Sequence, residues 1–497
     1  MIDDVHERER LSNVRPPAWV NPAPAGRYHL VIIGGGPAGL AAAGEAAALG
    51  AKVALVERRW LGGESLNVGC VPSKAIIRSS RVIAEMQDAA RYGAQAPVDL
   101  HVEFAAVMNR MRRLRARVSR GDTAARLAAA GIDVFFGDAR FTATDTVAVD
   151  GATLRFKKAM IATGSRPEIP SIPGLVEVGY LTNETVFDLT VLPRRLLVIG
   201  GGPVGCELAQ AFGRLGAKTI IVQDAPMFLP KEERDAAQIL SEAFAHDGLE
   251  VRLNTSVLQV WAEGGQILAD LINDDFTSTV IVDAILTGVG RLPNVDGMQL
   301  ETAGVEYDAV TGIHVDDFLR TTNRQIFAAG DVCLEHRHTH TAEATARMVV
   351  HNALILGRQR LSGLTVPWCT FTDPEIAHVG MSAREARDQD IPVKTFTVLL
   401  HEVSRAIVDS EDAGFVKIHV RDGTDRILGA TIVARHAGEM IGELTLAIVA
   451  GVGMRALSRV IHASPVQAGA IKAAADAYCR SQVTPTVKAR LLRWFAR

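Results

Sequence analysis

A chain of 497 residues with 48% hydrophobic and 22% charged side chains can bury a large core, and its 44 glycines form no low-complexity tract. That excludes a disordered, collagen-like or coiled-coil protein. With 53 basic and 56 acidic residues the net charge is -3, so no overall attraction to nucleic acid is built in and small-molecule partners are expected.

The segment 1–26 is polar and holds Pro16, Pro17, Pro22 and Pro24, which predicts an extended arm outside the folded body. From Tyr28 the stretch YHLVIIGGGPAGLAAAGEAAALGAKVALVE reads as an apolar strand, a glycine turn, an Ala-rich helix and a second strand ending in Glu57. RLLVIGGGPVGCELAQAFGRLGAKTIIVQD repeats that grammar with Gly200, Gly202 and Gly205, so two dinucleotide sites are expected. Beyond Leu364 the glycine turns stop, and shorter β-like runs such as GFVKIHV and ILGATIVA alternate with helical stretches, predicting an α+β domain. The end, KARLLRWFAR, has Leu491, Leu492, Trp494 and Phe495 at near-helical spacing among basic residues. Such a segment favours an anionic membrane surface, but ten residues bury little in lipid, and a helix docked on the protein is expected instead.

In the first turn Gly34 permits the sharp bend, Gly36 lets the backbone approach a pyrophosphate, and Gly39 lets helix and strand pack closely. Glu57 can then accept a hydrogen bond from a ribose hydroxyl. The equivalent position in the second unit falls at Gln223, followed by Asp224 and no arginine, which leans towards NADH over NADPH. Cys70, Cys206, Cys333, Cys369 and Cys479 are too scattered for a zinc ribbon or a disulfide-stapled module. MIDDVHERER lacks the basic and apolar regions of a secretory signal, and a soluble cytoplasmic protein is expected.

The block LGGESLNVGCVPSKAIIRSS at 61–80 resembles the class I pyridine nucleotide-disulfide oxidoreductases, the group of dihydrolipoamide dehydrogenase, glutathione reductase and mercuric reductase. The resemblance runs from about Tyr28 to Pro485 and takes in Ala162-Thr163-Gly164, Thr287-Gly288 through Asn294, Ala329-Gly330-Asp331 and VPWCTFTDPEIAHVGMS. It implies an α/β fold with two Rossmann-like domains, for FAD and NAD(P), and a C-terminal α+β domain that forms a homodimer. The expected boundaries are 27–165 and 296–363 for FAD, 166–295 for NAD(P), 364–485 for dimerisation and 486–497 for a basic tail.

The resemblance also implies roles. FAD should lie against Gly34, Gly36, Pro37, Ala38, Gly39, Glu57 and Arg58, then Gly63, Glu64, Ser65 and Lys74. Later contacts are expected from Ala139, Ala162, Thr163, Gly164, Gly330, Asp331, His340, Thr341 and Ala342. NAD(P) should meet Gly200, Gly202, Gly205, Glu207, Gln223 and Gly290. Lys74 should pair with Glu207 beside the flavin, where a cation favours hydride arrival.

The departures from the family pattern concern its sulfur chemistry. The family's redox disulfide joins two cysteines, and here the first of those positions is Ser65, leaving Cys70 alone. Near the C-terminus Ser464 and Gly469 stand where the family has a His-Glu base; His462 is a weak substitute candidate. Pro72 in the first helical turn and Lys74 one turn on should favour a Cys70 thiolate. The expectation drawn is that electrons pass from flavin directly to a quinone, oxygen or a specialised metabolite, with Cys70, Lys74, Glu207 and Ser65 as catalytic residues. The alternatives are a single-cysteine thiol/disulfide or mercuric reductase-like enzyme using Cys70, and a flavin-bearing redox sensor or binding protein. HRHTH, with His336, His338 and His340 on one face of a strand, invites a metal, but no added ligand pattern supports one.

Overall fold

A computed structural model describes residues 4–95, 100–274, 276–355, 357–483 and 485–496. Met1–Asp3 of the expected arm, Thr484 of the expected dimerisation segment and Arg497 of the expected tail lie outside the described residues. The chain forms two compact units, one holding the chain up to Asp224 together with Asn254–Leu364, the other Ala225–Leu253 and everything from Thr365.

The first unit opens with helix α1 (Val5–Val14), capped by Asp4. Strand β1 (Arg27–Ile33), helix α2 (Pro37–Ala48) and strand β2 (Val53–Glu57) follow. Next come α3 (Gly63–Asn67), α4 (Cys70–Gln87) and α5 (Phe104–Ser119), then strands β3 (Ile132–Phe136), β4 (Ala139–Ala143), β5 (Thr146–Val149) and β6 (Ala152–Ile161). The second glycine unit is β7 (Arg195–Ile199), α6 (Pro203–Arg214) and β8 (Lys218–Val222), joined by β9 (Ala284–Thr287). Strand β10 (Ile326–Ala328) and helix α7 (Thr339–Leu354) complete the framework.

Strands β3, β2, β1 and β6 run parallel in that order, with β10 beside the end of β6 and β5 and β4 antiparallel beyond it. β1 is a continuous apolar run because both of its faces are covered, as parallel strands require. Ile33 is level with Val56 on one side and Ile161 on the other, so the carboxyl ends of three strands meet where the first glycine turn departs. Ala42, Ala43 and Ala46 are fully buried on α2, and their small size lets α7 lie against it. In the second glycine unit β7 lies between β8 and β9, all parallel.

The expected extended arm is instead partly helical, and α1 is packed on α5. Its Glu7 and Arg10 are 4% and 3% exposed. Glu7 accepts hydrogen bonds from Arg10 and, at 2.8 Å, from Arg115 of α5. Arg10 also donates to the Asn67 side chain, and Arg115 donates to the Asn67 carbonyl at 2.8 Å. The HERER run sets Glu7 and Arg10 three residues apart, a helical i,i+3 pairing that outweighs the prolines, which begin only at Pro16.

The second unit is an antiparallel sheet in the order β11 (Pro367–Thr370), β12 (Glu375–Gly380), β15 (Ile427–Ala434), β14 (Phe415–Arg421) and β13 (Val393–Leu399). Helices α8 (Ala437–Val449) and α9 (Gly469–Ser481) cover it around Ile418, Ile432, Leu444 and Ile471. The helix Arg234–His246 belongs here because Glu233, at its start, is held by His419 at 3.1 Å and Lys417 at 3.2 Å. Those contacts, the His419 hydrogen bond foremost, keep the Glu233 carboxyl well below the usual range. The final helix, α10 (Pro485–Phe495), departs from the expectation of a docked helix: its described side chains are exposed.

Burial alone would raise the Glu7 carboxyl, but the two guanidiniums outweigh it and hold it below its ordinary value. Glu7→Gln leaves two cations buried beside a neutral group, and it is expected to lower the unfolding free energy by about 3 kcal/mol. Because the folded carboxyl titrates below the unfolded one, the stabilisation is complete above about pH 5 and fades as pH falls through the folded value. Urea denaturation of both proteins at neutral and acid pH should show a gap in midpoint that narrows in acid.

Candidate functional site

The first glycine turn is built by close approach. A side chain at Gly39 would put its Cβ 1.8 Å from the Gly34 carbonyl oxygen, and one at Gly34 would sit 2.2 Å from that of Ala162. Gly36 caps α2, with Pro37 at the first helical position, so the free N–H groups of this helix end face outward as an anion site. Gly63, at φ +56°, lies against Gly36 so closely that a Cβ would be 2.6 Å from the Gly36 Cα.

Glu57 ends β2 and staples this turn. One carboxylate oxygen accepts from the Gly35 N–H and the other from that of Arg59, both at 2.6 Å. Burial pushes its carboxyl up, while these N–H groups and Arg58 oppose the shift. Beside it opens a cavity of about 530 Å³ lined by Gly34, Glu57, Arg58, Ala139, Thr163 and Asn294, among others. Thr163 donates to the Asn294 carbonyl at 2.7 Å and accepts in return at its own carbonyl from the Asn294 amide at 2.9 Å.

A polar chain joins the remaining segments. Arg291 grips both oxygens of Glu64, one of them at 2.8 Å, and donates through Nε to Ser165 at 2.8 Å. Ser165 donates to Asp331 at 2.7 Å, and the Asn183 amide donates to Glu64 at 2.7 Å. Arg291, Ser165 and Asn183 were not singled out as site residues in the sequence; the RLPN motif containing Arg291 carried the only signal. Gly330, at φ +76°, turns the chain towards α7, where Ala342 lies close.

Ser65 lies on α3, and Cys70 is the first residue of α4. The Cys70 thiol is exposed, 3.7 Å from Thr339 Oγ1 at the start of α7. Lys74 Nζ sits 2.7 Å from the Glu207 carboxylate of α6. Cys206 and Cys333 differ in kind, because burial pushes both thiols up.

The second turn repeats the first. A Cβ at Gly205 would lie 2.1 Å from the Gly200 carbonyl, and Gly202 caps α6. Gln223 takes the stapling position, accepting from the Gly201 N–H at 2.6 Å while its amide donates to Asp224 at 2.9 Å. Gly290 lies against Glu168, whose N–H it accepts at 3.0 Å.

Other sequence-derived residues are arranged differently. HRHTH is not a strand: His338 caps α7, and His340 is exposed in its first turn. The His338 and His340 rings nevertheless stack at 5.3 Å. Among the described residues no group of three or more His, Cys, Asp or Glu side chains is placed to hold a metal. In the second unit Ser464 is exposed, Gly469 begins α9, and His462 Nε2 lies 3.1 Å from both Glu443 carboxylate oxygens.

The described geometry fits the dinucleotides that the sequence implies. Both glycine turns leave backbone room at a helix N-terminus, and the cavity at Glu57 has the polar lining that an adenosine end requires. The Thr341 hydroxyl is a further sign: it is 3% exposed and its oxygen has no partner in the protein, as expected of a group that meets a cofactor.

Comparison with known proteins agrees. The family model for pyridine nucleotide-disulphide oxidoreductases matches residues 28–347, and that for their dimerisation domain matches 366–475. A mercuric reductase of Streptomyces lividans is 35% identical over 457 residues, covering 91% of this chain and 96% of its own. A dihydrolipoyl dehydrogenase of Thermus scotoductus is 32% identical over 459 residues, 90% of this chain and 97% of its own. The solved structure of RclA from Escherichia coli, a HOCl-induced flavoprotein disulfide reductase, superposes with a TM-score of 0.80 at 27% identity, over 90% of this chain and 99% of that one.

These relatives overturn the expectation that electrons leave the flavin directly for a quinone, oxygen or a specialised metabolite. That expectation took the loss of one sulfur at Ser65 as the loss of sulfur chemistry, whereas the second sulfur, Cys70, stands exposed at a helix N-terminus.

Gly39→Ala would force a methyl into the Gly34 carbonyl and part the helix from the strand. The variant is expected to purify without flavin, its absorbance near 450 nm reduced at least about tenfold per protein. Gly44→Ala, a control on the same helix where nothing lies within 4 Å, should stay yellow.

Proposed function

The chain belongs to the pyridine nucleotide-disulphide oxidoreductases, and on that premise we propose that it is an NAD(P)H-dependent flavoenzyme that reduces a disulfide substrate through one cysteine, Cys70. The carrying observation is the setting of that thiol. Among the described residues it is the exposed cysteine, and it occupies the first position of the 18-residue helix α4. Exposed at that helix start, the sulfur is open to an incoming disulfide.

FAD, the family's cofactor, supplies a two-electron carrier between the nicotinamide and sulfur when bound. The residues that would hold it are the first glycine turn, Glu57, the Thr163–Asn294 pair, Asp331 and Thr341. Gly200, Gly202, Gly205 and Gln223 would hold the nicotinamide dinucleotide, and Asp224, next to Gln223, disfavours a 2′-phosphate, so NADH is the preferred donor. Lys74, fixed by Glu207, keeps a cation one helical turn from Cys70.

Cys70 as thiolate attacks one sulfur of the substrate disulfide. A bond to Cys70 forms as the substrate's S–S bond breaks, and the departing sulfur takes a proton and leaves as a thiol. Two electrons and a proton then cleave the mixed disulfide, freeing Cys70 and the second thiol. The balance is RSSR + NAD(P)H + H⁺ giving two RSH and NAD(P)⁺. Ser65 cannot supply the second sulfur, because its hydroxyl stays protonated; the substrate brings it. Thr339 Oγ1, 3.7 Å from the thiol, is placed to donate to the sulfur anion.

A second reading, Hg(II) reduction, is favoured by the mercuric reductase relative. Hg(II) requires soft thiolate ligands, so with Cys70 alone the ion would have to arrive already bound to small thiols.

Cys70→Ser is expected to keep its flavin and its anaerobic bleaching by NADH while losing about a thousandfold or more of its turnover with an aromatic disulfide. Alanine at Cys206, Cys369 or Cys479 should leave turnover within about threefold. A Cys70→Ser enzyme that reduces the disulfide at the original rate would overturn the reading. Turnover of Hg(II) bis-thiolate but of no disulfide would select the second one.

A further inference from the structure

The chain beyond Asp476 carries Arg480, Lys488, Arg490, Arg493 and Arg497 and no acidic residue, although the whole protein has a net charge of -3. Within this basic stretch α10 runs from Pro485 to Phe495. Helical geometry places Leu491, Leu492, Trp494 and Phe495 within an arc of about 160°, with Arg490 and Arg493 on the other side. In the structure those four apolar side chains are 40%, 58%, 68% and 68% exposed. The Trp494 and Phe495 rings lie 5.5 Å apart.

A large apolar arc left in water at the end of a folded unit calls for an occupant. We propose that α10 is a membrane-surface anchor that lies in the plane of an anionic bilayer, with Leu491, Leu492, Trp494 and Phe495 at the boundary between headgroups and acyl chains. Lys488, which falls within the apolar arc, and Arg490, about 40° beyond its edge, reach the anionic headgroups along their flexible stems, and Arg493 faces the water. A helix of eleven residues is too short to span a bilayer but long enough to lie on one. Among the described residues no helix is long and apolar enough to cross a membrane, so the contact is peripheral.

Charge decides between lipid and a second copy of the helix. Two copies placed face to face would bury Lys488, which lies within the apolar arc, with no acidic residue of the segment to pair it, whereas an anionic surface neutralises it. One helix of this size buries little apolar area. The dimerisation domain at 366–475 supports a homodimer, which carries two such helices and so converts the second contact into an intramolecular one. This inference stands apart from the reading of the thiol site.

The test is co-sedimentation of the full-length flavoprotein with vesicles of phosphatidylcholine alone and with phosphatidylglycerol as about a third of the lipid. The intact protein should pellet with the anionic vesicles, at least about tenfold more than with neutral ones, and be released by about 0.5 M salt. Leu492→Ser combined with Trp494→Ser, and separately Lys488→Glu combined with Arg490→Glu, should each abolish pelleting while flavin content and NADH oxidation stay unchanged. Absence of pelleting, equal pelleting with neutral vesicles, or full binding by the charge-reversed protein would overturn the proposal. An oligomer larger than the dimer that the Leu492/Trp494 variant dissolves would assign the face to a second copy and overturn it as well. Should a variant fail to fold, the lipid and salt dependence of the intact protein decides the question.

Discussion

The grip of Arg291 on Glu64 is the contact on which the site of the first unit depends. Glu64 belongs to the block that carries Ser65 and Cys70, and Arg291 belongs to a segment more than two hundred positions away. Through Ser165 the same guanidinium reaches Asp331, so four stretches with no sequence proximity are held by one polar chain. Burial pushes the Glu64 carboxyl up and Arg291 opposes it, which makes the pair obligatory: either charge alone in that position would be costly.

On this frame the chemistry is arranged by helix ends. α2 and α6 begin at glycines that allow a strand and a helix to meet at backbone distance, and α4 begins at Cys70. Each helix presents unpaired N–H groups and a positive dipole end. Two of them suit the phosphates of a dinucleotide, and the third carries the exposed thiol. Glu57 and Gln223 play the same mechanical part at the two glycine turns, each accepting from a glycine N–H at 2.6 Å, although one is a carboxyl and the other an amide.

The two ends of the described chain behave in opposite ways. α1 buries Glu7 and Arg10 in a network with Arg115 and Asn67, and so braces α3, which bears Ser65. α10 keeps both its charges and its large apolar side chains in water. The difference lies in composition, since HERER contains its own counter-ions and KARLLRWF contains none.

Much of this was determined by the sequence alone. The glycine spacings, the apolar strands before them and the acidic residue at position 57 specify dinucleotide-binding units, because backbone approach to a phosphate tolerates no other local chemistry. Ser65, five positions before Cys70, likewise leaves the block 61–80 with a single sulfur. Tertiary structure decided what local patterns cannot carry: that α1 folds against α5, that Glu64 finds Arg291, that HRHTH opens a helix, and that α10 has no cover. Each is a long-range pairing, fixed by which groups can be desolvated together, and a single sequence records its partners without recording that they meet.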